Sequence, residues 1–247
     1  MLGYINMSGY NHAEHNVDIG DKDAQDFYAR LSQASYEGDN LGATSQYLDQ
    51  HVGDGWKVDE ELSNMDRSVF YKPKTDGEGN NVVMANRGTD AKNRTGNRMR
   101  NMMTDASIFF GAEPRSQRFK KANTDFLAMR EKYGSDSNYS VSGHSLGGSQ
   151  SLYLNRRYGV EAHSLNPGAS FSHMAKGAVQ KAMCWWNPNN SDCKSADNST
   201  IYHQISDPLS TASMLGRDKK VLANSDKSKT GYNPHSLSHF YLENRKN

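Results

Sequence analysis

Long apolar runs are missing from this sequence. No stretch approaches the roughly 20 residues that a membrane-spanning helix needs, so no transmembrane segment is expected. An excess of one charge is missing too. Lys and Arg number 29 against 28 Asp and Glu, for a net charge of +1, which argues against a general nucleic-acid binder. Apolar residues make up only 35% of the chain and the mean hydropathy is −0.88, polar for a globular domain. Aromatics at 10% still keep it out of the disordered class. There are two cysteines, Cys184 and Cys193. They could pair across a short loop in an oxidising compartment, and two free thiols fit the spacing equally well. Residues Met1 to Asn6 have neither a basic start nor an apolar core, so no secretory signal is visible. The expectation is a soluble chain, cytoplasmic or exported by another route. No internal repeat or linker marks a second domain. The 247 residues suffice for one large α/β domain, expected over 21–247, behind a polar arm over 1–20.

His12 and His15 in that arm could share a metal, but no further ligands cluster nearby, so they read as solvated loop side chains. Asp21 is a reasonable helix N-cap. Phe27, Leu31 and Ala34 then recur at helical spacing until Gly38. Trp56 to Asp59 and Val69 to Lys72 read as strands, with a hairpin turn over Lys74–Asn80. That acidic, glycine-containing turn lacks the ligand ladder of a calcium loop. Val82 to Ala85 is a buried-strand pattern. Residues 91–113 lack periodicity. Pro114 opens a helix marked by Phe119, Ala122, Phe126, Met129 and Tyr133, and Gly134 ends it. Further strands are expected at Val160–Leu165, Thr200–Ile205 and Lys220–Asn224. A helical stripe is expected at Ala175, Ala178, Val179 and Ala182. Trp185 and Trp186 suit a lipid-facing surface or a core edge.

The chain is organised around Tyr139 to Ser149, which contains Gly143-His144-Ser145-Leu146-Gly147. In the pattern G-x-S-x-G a strand ends, turns sharply and enters a helix, and the serine projects from the tip. Bulky residues two positions either side would collide, hence glycine at 143 and 147. The N–H of Leu146 points where an oxyanion would form, and the helix N-terminus favours negative charge there. A second donor is expected from Asn86-Arg87-Gly88-Thr89-Asp90. Gly88 permits a tight bend, and Thr89 can offer its N–H and its hydroxyl.

A serine nucleophile needs a base within hydrogen-bond reach, and the base needs a carboxylate to hold its tautomer. On the α/β-hydrolase fold these follow in the order Ser, Asp or Glu, His. Ser145, Asp207 and His235 supply that order. Asp207 follows a strand, and Pro208 turns the chain out of it. Asp218 and Asp226 are rivals for the acid, and His239 is a rival for the base. His235 sits in a loop entering an expected helix, where its imidazole can face Ser145.

Together, Asn86-Arg87-Gly88-Thr89-Asp90, Thr104-Asp105, Gly143-His144-Ser145-Leu146-Gly147-Gly148, Asn166-Pro167-Gly168, Asp207-Pro208 and His235-Ser236-Leu237 resemble the class 3, or fungal-type, lipases. The likeness spans residues 82 to 241. It implies an α/β-hydrolase fold, with a central, mostly parallel sheet flanked by helices. It also implies ester hydrolysis by a Ser145–Asp207–His235 triad, with Thr89 and Leu146 as oxyanion donors and no metal or organic cofactor. Asn86 stands where family members usually carry an aromatic residue. The expected substrate is a lipid or small ester. An acyltransferase, a peptidase or a non-catalytic lipid-binding relative remain as alternatives on the same fold.

Residues Lys92 to Lys121 hold eight basic and two acidic residues. Apolar residues, including Met102, Met103, Phe109 and Phe110, are interleaved with them. Such a segment beside the serine is the expected substrate or lid region. Its composition suits peripheral contact with an anionic membrane surface. A solvated face balanced by acids elsewhere fits it as well.

Overall fold

The computed structural model describes residues 21–38, 40–89, 117–168, 186, 198–204, 219–223 and 235–241. It begins with helix α1 (Asp21–Ala34), a 3₁₀ turn (Ser35–Glu37) and helix α2 (Leu41–His51). Strands β1 (Lys57–Asn64), β2 (Arg67–Pro73) and β3 (Asn80–Asn86) follow. Then come helix α3 (Gln117–Tyr133), strand β4 (Asn138–His144) and helix α4 (Leu146–Tyr158). Strands β5 (Glu161–Leu165), β6 (Ser199–Gln204) and β7 (Lys219–Ala223) precede a last 3₁₀ turn, Leu237–Phe240.

The seven strands make one sheet whose spatial order is the chain order. β1, β2 and β3 pair antiparallel, and β3 to β7 pair parallel. The expected mostly parallel sheet flanked by helices is therefore present. Successive side chains of a strand point to opposite faces, and here both faces are covered. On one face Val69, Val82, Met84, Tyr139, Val141 and Ala162 pack with Ala122, Phe126 and Met129 of α3 and Leu154 of α4. On the other, Phe70, Val83 and Ala85 pack with Leu31 and Ala34 of α1 and Leu48 of α2. The alternating residues of β4 are serines there, and α1 meets them through hydroxyls. Tyr28 Oη donates to Ser140 Oγ at 3.3 Å and Ser32 Oγ to Ser142 Oγ at 3.3 Å. A third cluster joins Ala29 of α1 to Leu165, Tyr202, Leu237 and Phe240. It seats the last 3₁₀ turn on α1.

β1 runs on to Asn64, well past the expected Asp59. Its register shifts between those two residues, where the Asp59 carboxylate accepts from the N–H groups of Glu61 and Leu62 at 3.1 and 3.2 Å. Helix α2 was not expected from the sequence. Asn40 caps it, its side chain accepting from Ala43 N at 3.1 Å. The helix expected after His235 is only a 3₁₀ turn, because Tyr241 at its end is already extended, with φ −80° and ψ 138°. The turn expected at Lys74–Asn80 joins β2 to β3 with Pro73 opposite Asn80. The arm over 1–20, residues 91–113, the stripe from Ala175 to Ala182, Trp185, Cys184 and Cys193 lie outside the described residues. Trp186 is exposed.

Candidate active site

β4, the middle strand of the seven, delivers the chain to Ser145 between β3 and β5. Ser145 is the N-cap of α4 and has φ 56° and ψ −123°. A positive φ is costly for a residue with a Cβ, at about 1–3 kcal/mol, and persists only when the surroundings over-determine it. They do so here. Ser145 N donates to Leu165 O at 3.0 Å, and Ser145 O accepts from Ser149 N and Gly168 N, each at 3.2 Å. Bonds from β5, α4 and the Asn166-Pro167-Gly168 exit thus pin the peptide groups on both sides of Ser145.

The flanking glycines are required by close approach. A Cβ on Gly147 would collide with Asn86 O and stand 2.6 Å from Asn86 C. The first turn of α4 therefore lies directly on the end of β3. Asn86 is fully buried, and its Nδ2 donates to Ser151 Oγ at 3.2 Å. An amide serves there as a tie between β3 and α4.

The Arg87-Gly88-Thr89 exit of β3 reaches the serine itself. A Cβ on Gly88 would lie 3.2 Å from Ser145 Cβ and 2.6 Å from His144 O, and would collide with the Tyr36 hydroxyl. Thr89, half-buried, follows next. Arg87 holds the loop from outside, its N–H donating to Asp66 O at 2.9 Å and its guanidinium lying 5.5 Å over the Tyr36 ring.

His235 arrives from the far end of the chain and is buried against His144, with ring centroids 4.7 Å apart. The contact runs through the main chain as well, with His144 Nε2 2.7 Å from His235 O. A carbonyl only accepts, so Nε2 carries the hydrogen. His144 Nδ1 is then an acceptor, and the Tyr36 hydroxyl, 2.9 Å away, donates to it. Burial, with His235 alongside, pushes the His144 pKa down to about 3. His144 is therefore neutral at ordinary pH, with both nitrogens engaged.

The structure thus draws three separate parts of the chain together around one strand end: Ser145 and Leu146, Gly88 and Thr89 beside them, and His235 packed on the adjacent His144. His239 lies four residues past His235, half-buried on the last 3₁₀ turn. Asp207, with its rivals Asp218 and Asp226, lies outside the described residues, as do Met102, Met103, Phe109 and Phe110. Of the basic segment, Arg118 and Lys121 are matched by acids, Arg118 with Asp66 at 3.2 Å and Lys121 with Asp125 at 2.9 Å. Among the described residues no group of His, Cys, Asp and Glu could hold a metal, and no helix is long and apolar enough to cross a membrane. Sequence reasoning missed Tyr36 and the structural part played by His144. No family model and no curated protein matches the chain.

Proposed function

We propose that the chain is a serine carboxylester hydrolase on an α/β-hydrolase fold, similar to the class 3 lipases, acting on a lipid or lipid-like ester. One observation carries the reading. A serine with φ 56° stands at the carboxyl end of a central parallel strand, with the Gly88–Thr89 loop against it and a buried histidine packed on its neighbour His144. Parallel sheets bind ligands at that end of their strands. Nothing in ordinary packing calls for a strained serine at this junction.

In the proposed reaction Ser145 Oγ attacks the ester carbonyl and His235 takes its proton. The oxyanion is held by the N–H of Leu146 and by Thr89. His235 then protonates the leaving alcohol, and water cleaves the acyl-enzyme with His235 as base again. Asp207 would hold the His235 tautomer. No cofactor enters this scheme. His144 is an unsuitable base because neither of its nitrogens has a lone pair to spare.

The test is covalent labelling with a fluorophosphonate, followed by a panel of short esters, triglyceride and phospholipid. Ser145→Ala should lower turnover by about 10⁴ to 10⁶ without unfolding the chain. His235→Ala should match it, and the double mutant should be no worse than either. His239→Ala should keep most of the activity. An unlabelled Ser145 in folded protein, or Ser145→Ala activity within roughly tenfold of the parent, defeats the proposal. Anionic and zwitterionic vesicles at low and high salt belong in the panel. If the basic segment docks on an anionic surface, that preference should fade with salt.

A further inference from the structure

We propose that His144 is a positioning residue for the base: its Nε2–H anchors the main chain of His235, and the Tyr36 hydroxyl fixes the tautomer that lets it do so. This rests on the hydrolase reading above and concerns the same site.

His235 belongs to neither a strand nor a helix. Its neighbours Leu237 and Phe240 are seated on α1 by apolar contact, which sets depth but not register. A directed bond to the carbonyl of His235 sets register, and His144 makes it at 2.7 Å. His144 is well placed for this. It is the last residue of β4 and the immediate neighbour of Ser145, so nucleophile and base are referenced to one strand end.

The tautomer matters because only an Nε2–H imidazole can donate to that carbonyl. Tyr36 enforces it by donating to Nδ1. The same hydroxyl abuts Gly88, so one side chain touches the supports of both the base and the oxyanion loop. His144 stays neutral throughout, and so does not compete with His235 for the serine proton.

The experiment measures kcat and KM on a small soluble ester, with the fluorophosphonate labelling rate, for the parent and four variants. His144→Leu should lose roughly 10²-fold in kcat, the scale of a 1 Å misplacement, with KM changed by less than about twofold. His144→Gln, whose terminal amide can still donate, should recover most of that loss. Tyr36→Phe should lose about threefold to tenfold, the range of one hydrogen bond. Tyr36→Phe with His144→Gln should be no worse than His144→Gln alone, because glutamine offers nothing at the Nδ1 position. That pair decides the matter if His144→Leu fails to fold. Parent-like kcat in His144→Leu, equal losses in the leucine and glutamine variants, or losses confined to KM would overturn the inference. So would additive losses in the double variant. A parent whose Ser145 is not labelled defeats the hydrolase reading instead. Nitrogen NMR of the parent then still decides the anchoring, since His144 must be protonated at Nε2 and not at Nδ1.

Discussion

Two adjacent imidazoles, His144 and His235, illustrate how one residue type is put to opposite uses. His144 is locked neutral by burial and by two partners, while His235 is the proposed base. The locking has a signature in stability. In the unfolded chain His144 takes a proton near its ordinary value of 6.5, but in the fold only near 3. Between those values the unfolded state binds more protons, so the stabilising contribution is complete above about pH 6.5. It is lost as pH falls towards 3, at about 1.4 kcal/mol per pH unit. Urea midpoints at about pH 7.5 and about pH 5 should therefore drop more in the parent than in His144→Gln. Parallel drops would mean that His144 is not held neutral by the fold. The serine and its glycines were legible in the sequence because the turn imposes local spacing. Tyr36 was not, because its partner His144 lies 108 residues away and no local pattern records such a pairing.

Among the elements, the long-period stripes were the most readable. Phe119, Ala122, Phe126 and Met129 step by three and four, and all four are buried on α3. Helix α2 escaped notice because only Thr44 and Leu48 are buried along it, too thin a stripe to register as amphipathic. Its one usable sign was the capping Asn40. On the proposed reading, the last 3₁₀ turn is the element that would tie stability to activity. Phe240 and Phe126 are both essentially fully buried, one on the turn that follows His235 and one on the inner face of α3. Changed to leucine, each should cost about 1 kcal/mol. Only Phe240→Leu should also lower kcat, by roughly tenfold, through displacement of the base. Thermal melts and a small-ester assay on both proteins separate the effects. Equal activity in the two would mean that the turn does not set the position of His235.

At the scale of the whole molecule, the strand order decides what is finished when. Every described strand pairs with its neighbours in the chain, so pairings stay low in sequence separation and each new strand finds its edge already built. The site does not share that economy. His235 follows His144 by 91 residues, and α1 contacts both β4 and the last 3₁₀ turn. Synthesis proceeds at roughly 5–20 residues per second with N-terminal parts folding first. A nascent chain stalled with residue 230 just outside the ribosome should protect strands β1 to β5 from protease yet form no fluorophosphonate adduct. Labelling of such a chain would mean that His235 is dispensable. On the proposed reading, the serine is built into the sheet long before its base is translated, so the chain would stay chemically silent until His235 emerges and docks beside His144.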